Sequence, residues 1–230
     1  MNPSHPSLIL LLTLCVISGL LHPGSAAPAG QSPDILYSTD FSAESDWSTT
    51  SNDRFFPDNG TGRYHYLIEG GTGSAASVPL PSTGSGPFIR EFDVIPVRTD
   101  EGSTFRFGIG TEKRDSQRGP LLMAELANKK GGRLFYLKTG SRENVLNLVG
   151  SSPSAGSIGS TVRFEDEHQY HVRLTYYAAD NRASITVQEH GLPGTLFTTI
   201  APISGRMGDL THLFLTSLGD GVPGPQAEGY

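Results

Sequence analysis

The sequence predicts an all-β protein, a two-sheet antiparallel β-sandwich, from three observations. Short segments alternate apolar with polar residues, and breakers drawn from 28 glycines and 16 prolines among 230 residues separate them. No segment shows the 3.6-residue periodicity of a long amphipathic helix. Residues 170–189 read as a β-hairpin, because Val172 and Leu174 alternate with polar residues before a turn at Asp180 and Asn181.

The N-terminal segment, residues 1–27, is predicted to be a signal peptide. Residues 8–21 form an uninterrupted apolar run of about 14 residues, which is short for a membrane span and typical of an export signal. Ser25, Ala26 and Ala27 follow, so we expect cleavage after Ala26 or Ala27. Because the first seven residues contain no lysine or arginine, an uncleaved N-terminal anchor is the alternative. Either way we expect a secreted or cell-surface, extracellular protein.

The mature chain is predicted to form one domain. Residues 28–34 read as a leader, and residues 35–230 are enough for one apolar core but marginal for two. Cys15, the only cysteine, lies in the signal segment, so the core must hold the domain together without disulfides. No second apolar run suits a membrane span. The net charge of -6 and the scattered basic residues argue against a nucleic-acid partner.

The predicted strands follow one another along the whole domain. Residues 119–130 contain helix formers, but Leu122, Ala124 and Leu126 also alternate, and flanking strands favour a strand there. The predicted strands are 35–41, 64–69, 76–80, 88–97, 104–111, 121–127, 133–139, 145–149, 170–178, 183–189, 195–200 and 213–218.

Four stretches of sequence carry a resemblance to a known superfamily. They are DFS at 40–42 with Trp47, FIREFDVIPVRTDEGSTFRFGIG at 88–110, FEDEHQYHVRLTYYAADNRASITVQEHG at 164–191, and HLFLTSLGD at 212–220. Together they are similar to the concanavalin A-like lectin/glucanase superfamily, in the laminin-G-like form of secreted prokaryotic proteins. The resemblance implies a jelly roll over most of residues 35–230 without specifying an activity. It also implies a longer last strand, so we expect the strand ending at Tyr230 to be truncated and a sheet edge to be open.

Residues 90–98, REFDVIPVR, raise the question of catalysis. Glucanases of this superfamily present Glu-x-Asp-x-x-Glu along one strand, and the resemblance places Glu91 and Asp93 at the first two positions. Pro96 stands at the acid/base position and cannot transfer a proton, so the glucanase mechanism lacks its second half. The favoured interpretation is a solvent-facing strand with charges paired to neighbours such as Arg106. Ligand binding and catalysis are the alternatives.

A polar side of the sheet is the candidate ligand-binding surface. Charged groups and an aromatic ring are the combination that carbohydrate sites use for hydroxyls and apolar sugar faces. The leading hypothesis is therefore an exported, non-catalytic module that binds a glycan or a surface protein. The alternatives are a carbohydrate-active hydrolase with a non-standard carboxylate pair, and a structural or adhesive domain without a small ligand. The candidate residues are Glu91, Asp93, Arg106, His171, Arg173 and Tyr177.

Calcium is the cofactor that the resemblance brings into question, since loop oxygens bind it in this superfamily. The weak candidates are Asp58, Asp209 and Asp220, but their neighbours are turn formers and no loop has the spacing of an EF-hand. The turn-forming interpretation is favoured. Asn59 begins the sequon Asn-Gly-Thr and is a candidate glycosylation site in an exported chain.

Overall fold

The described part of the chain is built from antiparallel β-strands. A computed structural model describes residues 35–41, 46–69, 75–81, 86–111, 121–130, 132–140, 147–150, 162–203, 207, 210–216 and 226–230. Over these ranges there is no helix, and hence none long and apolar enough to cross a membrane. The strands are β1 (Ser48–Thr49), β2 (Phe55–Asp58), β3 (Arg63–Glu69), β4 (Ala75–Pro79), β5 (Phe88–Val94), β6 (Pro96–Thr99), β7 (Thr104–Gly110), β8 (Leu121–Lys129), β9 (Gly132–Gly140), β10 (Asn147–Gly150), β11 (Tyr170–Tyr177), β12 (Arg182–Glu189), β13 (Phe197–Pro202), β14 (His212–Thr216) and β15 (Gln226–Gly229).

The strands form three hydrogen-bonded sheets. A seven-stranded sheet has the order β1-β4-β14-β7-β8-β9-β10, and two four-stranded sheets have the orders β13-β12-β11-β5 and β2-β3-β15-β6. The four-stranded sheets are joined where the chain bends at Ile95, between β5 and β6. Ile95 and Tyr230 exchange backbone hydrogen bonds of 2.8 and 3.0 Å, so the bend itself is paired.

The hydrophobic core lies between the seven-stranded sheet and both four-stranded sheets. Phe105 of β7 stacks on Tyr66 of β3, with ring centroids 3.8 Å apart. Phe135 of β9 contacts Tyr170 of β11 at 5.3 Å and Phe197 of β13 at 6.3 Å. Burial of such large rings contributes more than any polar contact to holding two sheets together.

The fold class predicted from the sequence is confirmed. The chain is an antiparallel β-sandwich, and the predicted hairpin is present as β11 and β12, with Asn181 in its turn at a φ of 47°. Residues 121–127 lie in strand β8 rather than in a helix. The turn accepts asparagine because its short polar side chain tolerates the left-handed region.

Strand boundaries differ from the prediction in three respects. Residues 35–41 are not a strand; Ile35 and Leu36 are exposed, and Tyr37 donates a hydrogen bond to Asp46 instead. The predicted strand 88–97 is divided at Ile95, next to the proline that lacks an N–H. Strands β1 and β2 were not predicted. The last strand, which was expected to leave an open sheet edge, is β15; it is paired on both sides, with β3 and β6, so the expected open edge is wrong.

Candidate functional site

The polar residues predicted for β5 and β11 come together because these two strands are neighbours. Asp93 pairs in register with His171, and Glu91 pairs with Arg173. Alternate residues of a strand point to the same side, so all four side chains lie on one side of the sheet. Phe92, between the two carboxylates, packs against the core on the opposite side. We call the side away from the core the outer face.

The four side chains of this group form a chain of ion pairs. His171 Nδ1 lies 3.0 Å from Asp93 Oδ1, and its Nε2 lies 3.8 Å from Glu91 Oε1. Arg173 Nη1 lies 3.5 Å from the same oxygen of Glu91. The side chains are between 41% and 58% exposed, so water screens the pairs and each contributes about 1 kcal/mol or less to folding.

The outer face continues across β12 and β13 and becomes more apolar at one end. Tyr177 lies on this face near the end of β11, with its hydroxyl 3.3 Å from Ser184 Oγ. Ile89, Ile200 and the Tyr177 ring are each at least 42% exposed. The described residues of the outer face are Ile89, Glu91, Asp93, His171, Arg173, Thr175, Tyr177, Arg182, Ser184, Thr186, Gln188, Thr198, Ile200 and Pro202.

Arg106 does not belong to this group, contrary to the sequence prediction. It lies on β7 in the seven-stranded sheet, is only 4% exposed, and pairs with Glu125 on β8 at 2.5 Å. Alternation with Phe105 and Phe107 correctly places Arg106 away from the core. Alternation cannot tell which of two sheets a strand joins, and this is why the predicted proximity to Glu91 is wrong.

Glu125 is the centre of a buried ionic cluster on the seven-stranded sheet. Its carboxylate contacts Arg106, Lys138 and Lys129, the last at 3.2 Å. Burial opposes ionisation, but the three cations outweigh it and hold the pKa of Glu125 below its usual value. Burial also lowers the pKa of Lys138, and it raises the pKa of Tyr136, with the charge of Glu125 adding to that rise.

The sequence prediction did not include Glu125 or Lys138. Each is the single charge within an otherwise uncharged, largely apolar run, LLMAELA and LFYLK. That isolation is the signal that could have found them, because a lone charge among buried neighbours needs an opposite charge on an adjacent strand.

The calcium candidates do not form a coordination site within the described residues. Asp58 uses Oδ1 to accept the backbone amide two residues on, at 3.0 Å, and Oδ2 to accept the Thr61 hydroxyl, at 2.9 Å. Both oxygens therefore close the turn between β2 and β3, where Asn59 is exposed. Asp209 and Asp220 lie outside the described residues, within which no group of three histidine, cysteine, aspartate or glutamate side chains is placed to hold a metal ion.

A cleft elsewhere on the surface was not predicted from the sequence. It lies between the β8–β9 hairpin and the segment that precedes β11, and it has a volume of about 530 Å³. We call it the hairpin cleft. Its lining residues are Asn128, Gly132, Arg133, Arg163, Phe164, Glu165, Asp166 and Glu167.

Comparison with known proteins identifies the class of fold. No protein-family model matches the chain, and no curated protein matches it. Among solved structures, the seed lectin of Lotus tetragonolobus matches with a TM-score of 0.50 and 8% identity, over 85% of this chain and 94% of the lectin. An identity this low shows fold alone: the chain has a sandwich similar to that of the legume lectins.

Two further solved structures are similar at slightly lower scores. The carbohydrate recognition domain of Emp47p has a TM-score of 0.49 and 12% identity, over 87% of this chain and 96% of that domain. Peanut lectin, in a structure with a nine-residue peptide, has a TM-score of 0.48 and 11% identity, over 73% of this chain and 82% of the lectin.

Proposed function

We propose that this chain is an exported, non-catalytic carbohydrate-binding module that holds a glycan against its outer face. The observation that carries the proposal is the group of Glu91, Asp93, His171 and Arg173, which lie side by side and exposed on neighbouring strands. The similar fold of a seed lectin supports it, but one fold serves many functions. The argument for carbohydrate binding therefore depends on the side chains of the outer face.

The outer face carries hydrogen-bond donors, hydrogen-bond acceptors and an aromatic ring, the groups that bind sugars. A hydroxyl group both donates and accepts hydrogen bonds, and here carboxylates accept them while Arg173 and His171 donate. Because the existing ion pairs are exposed and weak, a ligand can replace them at small cost. The exposed ring of Tyr177 adds an apolar surface for the face of a pyranose.

The same geometry favours binding over hydrolysis. A glycosidase acid needs an environment that raises its pKa, together with a second carboxylate across the scissile bond. Glu91 and Asp93 lie on an open face and both contact His171. Pro96, which occupies the position of the missing acid, begins β6 beyond the bend at Ile95 and belongs to another sheet.

The proposed setting is the cell surface or the extracellular space. Export by residues 1–27 would bring the mature domain into contact with glycans or with glycan-bearing surface proteins. The laminin-G-like relationship and the prokaryotic source stay predictions, as does a role for calcium. The outer face needs no metal in order to bind a sugar as described.

A glycan array with two matched variants tests the proposal. We expect the mature protein to bind at least one glycan class, and Arg173→Gln and Glu91→Gln each to weaken that binding about tenfold or more, because a hydrogen bond to a charged group contributes about 1.5–3 kcal/mol. Arg98→Gln is the control, since Arg98 forms an exposed ion pair with Asp100 on another sheet.

Three results would contradict the proposal. A blank array with folded protein would favour the structural or adhesive alternative. Equal losses in Arg173→Gln and the Arg98→Gln control would mean that the outer face is not the contact surface. Release of new reducing ends from a bound glycan, abolished in Glu91→Gln, would establish a hydrolase instead.

A further inference from the structure

The hairpin cleft has a fixed wall on the side that leads into β11. Phe164 is buried against Phe135, with ring centroids 5.5 Å apart, and its amide donates to Arg133 O at 3.2 Å. The amide of Glu165 donates to Tyr170 Oη at 2.8 Å, and that of Glu167 to Pro96 O at 2.5 Å. The wall is therefore held at several points before any ligand arrives.

One residue of that wall has an uncommon backbone conformation. Glu167 has a φ of 67°, in the left-handed region that costs a non-glycine residue energy. Its side chain is exposed and makes no hydrogen bond or ion pair with the rest of the described chain. Such conformations persist where the surrounding structure imposes them, and they cluster at ligand sites. The strained backbone at Glu167 is therefore consistent with a ligand site at this end of the cleft.

Part of the polar lining serves the structure and is not available to a ligand. Asp166 accepts hydrogen bonds from Arg133 at 2.6 Å and from Thr99 at 2.9 Å. Asn128 Nδ2 donates to Thr99 O at 2.8 Å, which leaves its carbonyl oxygen as an acceptor. These contacts set the positions of the Arg133 guanidinium and the Asn128 amide at the cleft.

Arg163 is placed at the cleft without a carboxylate partner. Its guanidinium lies directly against Gly132, where an added Cβ would be 2.7 Å from Nη1 and 2.8 Å from Cζ. Gly132 has a φ of 102°, so glycine is needed there for both conformation and space. The exposed Arg163 side chain has no hydrogen-bond or ion-pair partner in the described part of the chain, although Glu165 and Glu167 belong to the same wall.

The charged groups at the cleft that a ligand can contact have both signs. Arg163 and the remaining N–H groups of Arg133 donate hydrogen bonds, while Glu167 and the Asn128 carbonyl accept them. Glu165 also accepts, although its Oε2 lies 3.7 Å from His168 Nε2 in an exposed pair that a ligand can replace. An anionic ligand would face two carboxylates, and a cationic one would face Arg163. A neutral polyhydroxyl compound satisfies donors and acceptors together, because adjacent hydroxyls match a planar guanidinium and a carboxylate.

We infer that the hairpin cleft is a second saccharide-binding site, which takes a neutral sugar through a vicinal diol held between Arg163 and the carboxylates of Glu165 and Glu167. Its volume of about 530 Å³ lies within the range of small-ligand sites. The inference rests on the proposed carbohydrate-binding function and adds a site separate from the outer face.

Amide chemical-shift mapping of the isotope-labelled mature protein tests the inference. The probes are cellohexaose, mannohexaose and laminarihexaose, with hexagalacturonate as the acidic comparison. We expect at least one neutral hexasaccharide to shift the amides of Gly132 and Glu167. Arg163→Gln should weaken that binding at least tenfold, whereas Arg63→Gln, an exposed arginine on β3, should leave it unchanged. Both variants must also unfold at the same thermal midpoint as the wild-type protein, which shows that they are folded.

Three outcomes overturn the inference and leave the proposed function to its own test. One is the absence of cleft shifts with every probe at 10 mM. Another is cleft binding by hexagalacturonate alone, which would make the site one for anions. The third is unchanged affinity in both Arg163→Gln and Glu167→Gln. In each case, array binding that is sensitive to Arg173→Gln would still support the outer face.

Discussion

Glu125→Gln should destabilise the domain strongly, because it removes a buried negative charge that two buried cations contact. Glu125 is fully buried and contacts Arg106 and Lys138, whose side chains are 5% and 7% exposed. Glutamine keeps the shape of the side chain but removes the negative charge that both cations contact. Lys129 is 41% exposed, so water compensates for most of its loss.

The expected loss in the free energy of unfolding follows from the cost of removing one partner of a buried ion pair. That cost is about 3–5 kcal/mol, which for a domain of this size lowers the melting temperature by roughly 6–20 °C. Asp93→Asn is the matched control, since it removes a carboxylate from an exposed pair with His171 and should cost about 1 kcal/mol or less.

Urea unfolding followed by tryptophan fluorescence measures both variants. Trp47 is the single tryptophan, lies in the core, and its ring contacts Tyr64 at 5.5 Å. The pH dependence provides a second check, since the pKa of Glu125 in the folded protein lies below 4.5. Its contribution is thus present above pH 4.5 and is lost as the pH falls through that lower pKa. A Glu125→Gln protein within about 1 kcal/mol of wild type would refute the reasoning.

Two further predictions concern β15 and the approach to β11. Gly229→Ala should cost about 1–3 kcal/mol in urea unfolding, because its Cβ would lie 2.3 Å from Ile95 O; wild-type stability would show that β15 shifts without cost. His168 should titrate by NMR above 6.5, since Glu189 accepts its hydrogen bond and raises its pKa. That stabilisation is present below pH 6.5 and is lost as the pH rises through the raised pKa; Glu189→Gln should abolish the shift, and an unshifted wild-type His168 would contradict the assignment.

Strands that bury one side could be predicted from the sequence, and strands that depend on their neighbours could not. In β11 and β12 the alternation is complete, so the hairpin and its turn were predicted to within a residue or two. Strand β15 has the sequence QAEG, which carries no apolar alternation. It forms because β3 and β6 satisfy its backbone on both sides, and that information is tertiary.

The candidate site, too, could be predicted only in part from the sequence. Glu91 with Asp93, and His171 with Arg173, were each assigned to one side of a strand by their two-residue spacing. That β5 lies beside β11, and β7 does not, depends on the order of strands in the sheets. The hairpin cleft joins two segments that are at least 30 positions apart in the sequence, so no local sequence pattern indicates it.

Arg106 and Arg173 have similar neighbours in the sequence but differ in burial. Both arginines alternate with apolar residues, and both face a glutamate on the adjacent strand, Glu125 and Glu91. The first pair is 5% and 0% exposed, and the second is 47% and 48% exposed. Removing one member of the Arg106–Glu125 pair leaves a buried charge, which is costly. Arg173 and Glu91 can instead each bind a ligand in place of the other with little loss of folding free energy. The same residue types therefore hold one sheet together and, under the proposed function, leave the outer face of the other able to bind a ligand.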